Sequence, residues 1–220
     1  MTKKISYLLI LSTCLIASSC TMMVKGLVKL VVKDYNDYTN TNVSNVQMLE
    51  RKGNSQSFSK LFSGKTVYLY VWENKGNRPD AHQKEYRELK ERFAKYPDVV
   101  FANLYIGSDT VANSYKLGDD GASLGFLKIL EINNSAAPFI IGKDGSILAY
   151  KGPKPTDKIL VDYVLFQARN GEDGTKSAKR LIRGVSREQR FKSIELKDWY
   201  TKHFNKEPEG KLSFSVSSTK

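Results

Sequence analysis

Thr66-Val-Tyr-Leu-Tyr-Val-Trp72 is an unbroken apolar run. A strand with one face in water alternates apolar and polar residues. A continuous run is what a central strand buried on both faces requires. The segments that follow extend the pattern. Residues 80–96 read as a helix, with Tyr86, Leu89 and Phe93 as its apolar stripe, Glu and Arg elsewhere, and Pro97 as its stop. Residues 99–106 read as a second buried strand and residues 123–130 as a short helix. Residues 139–141 and 146–150 read as strands joined by Gly142-Lys-Asp-Gly145, a hairpin signal. Residues 156–169 read as a closing helix, with Thr156 as N-cap and Ile159, Leu160, Tyr163, Val164 and Phe166 apolar. The order is β-α-β-α-β-β-α. The first two strands need a parallel crossover and the last two form an antiparallel hairpin, so the class is α/β with a central mixed sheet flanked by helices.

That order is the order of the thioredoxin fold, and two stretches carry a closer likeness. Residues 59–73, Ser-Lys-Leu-Phe-Ser-Gly-Lys-Thr-Val-Tyr-Leu-Tyr-Val-Trp-Glu, resemble the start of TlpA-like thiol-disulfide oxidoreductases. In that family a Gly-Lys and a hydrophobic strand lead into a Trp-Cys-x-x-Cys active site. Residues 136–145, Ala-Ala-Pro-Phe-Ile-Ile-Gly-Lys-Asp-Gly, are similar to the family's cis-proline segment. The resemblance spans residues 46–170 and implies a thioredoxin-like domain in which Pro138 is the cis proline.

The chain departs from the family where the chemistry lies. Aligned without gaps, Trp72 takes the family Trp, and the cysteine positions fall on Gly76 and Pro79. The only cysteines are Cys14 and Cys20. Disulfide exchange needs a thiolate to attack sulfur, which neither Gly nor Pro supplies, so thiol-disulfide exchange and thiol peroxidase activity are not expected. The resemblance still implies a groove between the former active-site turn and the proline loop. In the family the residue before the proline pairs with an extended peptide, and that residue is Ala137. Trp72, Glu73, Asn74, Lys75, Asn77 and Arg78 would line the other wall. The turn precedes a helix amino end, which favours an anion, and Lys75 and Arg78 add positive charge. Two readings follow: a site for an extended or acidic segment of a partner, or a relic turn that only closes the domain.

Other enzyme signals compete. Gly121-Ala-Ser-Leu-Gly125 matches the G-x-S-x-G elbow, and Asp157 or Asp162 and then His203 follow in hydrolase order. The elbow must join a buried strand directly to a helix, whereas Lys116-Leu-Gly-Asp-Asp120 before it is loop-like. Ser123 reads better as a helix N-cap, and a hydrolase with Ser123 as nucleophile is the alternative function. No cofactor is expected: the only histidines, His82 and His203, are far apart and lack cysteine co-ligands, and no phosphate loop or dinucleotide fingerprint is present.

The amino end has the layout of a secretory signal. Lys3 and Lys4 precede an apolar stretch over residues 5–16, then Ala17-Ser-Ser-Cys20. The stretch is shorter than the roughly 20 residues that span a bilayer. Small residues before Cys20 resemble the bacterial lipoprotein signal, although that family prefers Leu where Ala17 stands. Cys14 fits less well, because Thr13 sits where a small residue is required. The resemblance implies acylation of Cys20, a chain beginning there, and stable anchoring by several acyl chains. With Thr21-Met-Met-Val-Lys25 after the cysteine and no acidic residue, it implies an outer-membrane lipoprotein facing the periplasm. The formal charge is +12 and no basic run reaches five. The membrane surface, and not nucleic acid, is the expected partner of that charge.

Four segments result: a signal peptide (1–19), a lipidated tether (20–45), the thioredoxin-like domain (46–170) and a basic extension (171–220). In the tether, Lys25, Lys29 and Lys33 share one face if residues 22–33 are helical; their valines fit a strand equally well. In the extension, residues 186–204 read as a helix with Ser186 and Gln189 in capping-box spacing. Ile182, Phe191, Ile194 and Trp199 are expected to pack on the domain. Leu212, Phe214 and Val216 alternate with polar residues, as an edge strand does.

Overall fold

The computed structural model describes residues 32, 34–51, 53–73, 83–108, 111–131, 136–212, 215 and 217. The signal peptide, Cys20 and nearly all of residues 22–33 lie outside them. Strand β3 (Thr66–Trp72) is buried at every position, as its unbroken apolar run requires. It pairs in parallel with β4 (Val99–Tyr105) and antiparallel with β6 (Ala137–Ile141), which pairs antiparallel with β7 (Ile147–Ala149). The sheet order is β4-β3-β6-β7. With a helical crossover between β3 and β4 and a hairpin between β6 and β7, this is a thioredoxin-like arrangement.

Successive β3 side chains feed two cores. Tyr68, Tyr70 and Trp72 join Leu89 and Phe93 of α2 (Gln83–Phe93) and Leu160, Val161 and Val164 of α4 (Lys158–Ala168). Val67, Leu69 and Val71 join Phe126 and Leu130 of α3 (Gly121–Leu130). Burying both faces of one strand this way supplies the main apolar driving force. A small second sheet, unforeseen in the sequence, lies on the α3 side. It holds β1 (Gln47–Leu49), β2 (Ser55–Ser57) and β5 (Lys116–Leu117) in the order β2-β1-β5, and α1 (Phe58–Leu61) follows β2. Met48 and Phe58 anchor it in the second core.

Several boundaries move. The described part of the expected tether is packed onto the domain: Val32, Tyr35 and Val43 are buried. Val43 N–H donates to Gly145 O at 2.8 Å, and Ile147 N–H to Thr41 O at 3.1 Å. The N-cap of α3 is Asp120, not Ser123. Its carboxylate accepts from Ala122 N and Ser123 N, because an ionised side chain is the stronger acceptor for those amides. Asp157, not Thr156, precedes α4.

The extension forms two helices. Asp173 caps α5 (Gly174–Arg183), which the sequence pattern did not reveal, and Ser193, not Ser186, caps α6 (Ile194–Phe204). Leu181, Phe191, Trp199 and Tyr200 pack on the α2–α4 face, whereas Ile194 is exposed. The last turn of α6 is held by a buried polar cluster. Asp162 of α4 accepts from Arg92 Nε at 2.7 Å and Nη2 at 2.8 Å, and pairs with His203 Nε2 at 2.6 Å. His203 Nδ1 lies 3.2 Å from the Tyr96 hydroxyl, and Lys95 donates to the Lys202 and His203 carbonyls.

Candidate functional site

Three chain segments meet at one end of the sheet. Strand β3 leaves it through Trp72 and Glu73, β6 enters through Ala136 and Ala137, and the chain leaving β7 crosses it over residues 150–157. Val71 pairs with Ala137 and Tyr70 with Pro138. Gly152 N–H donates to Pro138 O at 2.7 Å, and the buried Tyr68 hydroxyl donates to Pro153 O at 2.9 Å, so the last segment is tied to both strands. Burial raises the Tyr68 hydroxyl well above its ordinary value, which keeps it a neutral donor.

Of the expected groove residues, Asn74, Lys75, Gly76, Asn77, Arg78 and Pro79 lie outside the described residues. Trp72, Ala137 and Pro138 are brought together but are buried. Trp72 packs on Tyr105 with ring centroids 4.4 Å apart, and its indole N–H has no partner among the described residues. Ala137 spends its backbone on β3 and is 1% exposed. Only Glu73 keeps partial exposure. The expectation of a cis proline is corrected: no cis peptide bond is present among the described residues. Strand β6 begins one residue before Pro138, so the chain through Ala137 and Pro138 is already extended on the ladder with β3.

The sequence did not single out the β7–α4 segment as part of this end. There Asp157 is fully buried. It accepts Lys154 N–H at 2.9 Å and the Ser217 hydroxyl at 2.8 Å. Burial raises its carboxyl above the ordinary aspartate value, partly offset by those hydrogen bonds.

The alternative nucleophile is also corrected. Ser123 has no exposed surface. Its hydroxyl lies 2.5 Å from Asp120 Oδ2 and accepts Gln47 N–H at 2.9 Å. Asp162 and His203 do meet, but their partners are Arg92 and Tyr96, so no Ser-His-Asp constellation assembles. Ser123 ties α3 to β1, a structural task. Among the described residues, no group of three or more metal-ligating side chains is present, and His82 lies outside them.

No family model matches the chain, and no curated protein matches it. Similar solved structures exist. A protein assigned as a thiol-disulfide oxidoreductase from Bacteroides vulgatus is 22% identical, with 54% of this chain and 82% of that chain covered at a TM-score of 0.40. The exposed lipoprotein thioredoxin Etrx1 from Streptococcus pneumoniae is 17% identical, with 55% and 97% covered at 0.39. BsSco, a member of the Sco family of cytochrome c oxidase assembly proteins, is 14% identical, with 62% and 98% covered at 0.40.

Proposed function

We propose that this chain is a redox-inactive thioredoxin-like protein of the cell envelope that works as a binding or assembly module. It is held to the membrane by lipid on Cys20, in an outer membrane with the domain facing the periplasm. It takes an extended or acidic segment of another envelope protein at the end of the sheet where β3 stops and β6 begins. One observation carries this reading: the fold is thioredoxin-like, yet no residue from 21 to 220 is a cysteine. Without a thiolate the frame has no exchange chemistry, so what remains at that end is recognition. Because Trp72, Ala137 and Pro138 are buried, the contact surface falls to Glu73, to the turn carrying Lys75 and Arg78, and to the β7–α4 segment. The two cations and a helix amino end favour negative charge.

Site-specific photo-crosslinking in the native envelope tests it, with the reactive residue at Arg78 and a control at the exposed Glu91 of α2. One discrete adduct from Arg78 and none from Glu91 is expected. The same smear at both sites, or no adduct at either, would make the turn a relic.

A further inference from the structure

We infer that the carboxyl tail of this same chain, through Ser215 and Ser217, is a built-in occupant of that end of the fold, which an incoming partner must displace. The inference rests on the binding reading above and adds its regulation.

The tail is anchored before it reaches the site. Leu212 is 4% exposed in the α2–α4 core, and its N–H donates to Gln189 O at 2.8 Å. Three residues later the Ser215 hydroxyl donates to Thr156 O at 2.7 Å, and the Ser217 hydroxyl to Asp157 Oδ1 at 2.8 Å. Ser215 and Ser217, two positions apart, thus reach neighbouring residues of one segment. Their targets, Thr156 and Asp157, belong to the segment tied to Pro138 and Tyr68. The tail therefore lies on the end of the sheet where β3 stops and β6 begins, and not on the far end with the β6–β7 turn.

The contact also completes a buried group. Asp157 is fully buried. Its Oδ2 accepts Lys154 N–H and its Oδ1 accepts the Ser217 hydroxyl, and the Ser217 backbone adds a further hydrogen bond to the carboxylate. Withdrawing the tail exchanges these donors for water at a carboxylate the fold otherwise walls in, a poorer arrangement than the paired one, so the covered state is favoured and the tail returns unless something replaces it. An extended partner segment carrying a small hydroxyl side chain would do so. The tail starts from an anchor a few residues away, so its effective concentration is high and it competes well against a partner in solution.

The test uses a fluorescein-labelled peptide of residues 211–220 and fluorescence anisotropy. It is titrated with the full chain, a chain ending at Leu212, and the Ser215→Ala/Ser217→Ala variant, which removes the two hydroxyl contacts to Thr156 and Asp157 and leaves the Leu212 anchor in place. The shortened chain and the double variant should bind the peptide about tenfold or more tighter than the full chain. Equal affinity for all three, or no binding to the shortened chain, would overturn the inference. The partner reading fails separately. Peptide binding to the shortened chain with no adduct from Arg78 would keep the tail and remove the partner. An Arg78 adduct unchanged by shortening, with no peptide binding, would do the reverse.

Discussion

Asp162→Ala should be among the most damaging single substitutions at a polar position. The aspartate side chain has no exposed surface, and neither does that of His203; Arg92 is 17% exposed. The change deletes both Arg92 contacts and the His203 contact at 2.7, 2.8 and 2.6 Å. It leaves a guanidinium and an imidazole facing a cavity. Removing one partner of a buried ion pair costs about 3–5 kcal/mol, and a further hydrogen bond about 1 kcal/mol. A loss of about 4–6 kcal/mol is expected, much of the roughly 5–15 kcal/mol that a domain has. Urea unfolding at pH 7, followed by tryptophan fluorescence, reads it directly. Trp199 stacks on His203 with centroids 5.6 Å apart, so the probe sits at the perturbed site. Arg92→Met/Asp162→Leu, which removes both charges, should lose much less, since buried pairs are often replaceable by apolar residues of similar volume. A single variant within about 1 kcal/mol of wild type, or a double variant as damaged as the single, would refute the reasoning.

Three further outcomes are expected. Asp98 is held below the ordinary carboxylate value: burial alone would raise it, but hydrogen bonds and charge from Lys143 and Arg169 outweigh that. Its contribution is therefore present above the unfolded value of about 3.9 and is lost as pH falls through the lower folded value. The acid limb of a thermal-stability profile should flatten in Asp98→Asn, and an unchanged limb would count against the pairing. Asp120→Ala removes the α3 cap and the Ser123 contact and should lower the urea midpoint; an unchanged midpoint would show the cap to be idle. A fluorophosphonate probe should leave Ser123 unlabelled in the folded chain, because the hydroxyl is buried, and stoichiometric labelling would reopen the hydrolase reading.

Much of the fold was legible because its signals are local. The apolar run of β3 announces burial on both faces, Pro97 ends the α2 region, and Gly142-Lys-Asp-Gly145 turns the β6–β7 hairpin. What the sequence hid depends on contacts made across the fold. The strands β1, β2 and β5 are two or three residues each, too short for a period to show, and are held by Met48 and Phe58 in a shared core. Helix α5 opens at Gly174, a residue that reads as a breaker, yet Asp173 caps it and the α4 face covers it. Residues 35–45 look like a polar tether, and the burial of Tyr35 and Val43 with the bonds to Gly145 and Ile147 shows that they are part of the domain. At the candidate site the departure from a dithiol was plain in Gly76 and Pro79. The burial of Trp72 follows from the same apolar run, but that of Ala137 was not plain, because it arises from the β3–β6 register. The role of Ser217 at Asp157 was equally hidden, since 60 positions separate them.

The claim that a thioredoxin-like frame here works without thiol chemistry is tested most directly by insulin reduction under dithiothreitol, with the full chain and with Cys14→Ala/Cys20→Ala. Neither chain should precipitate insulin faster than dithiothreitol alone. Catalytic acceleration by either would contradict the claim.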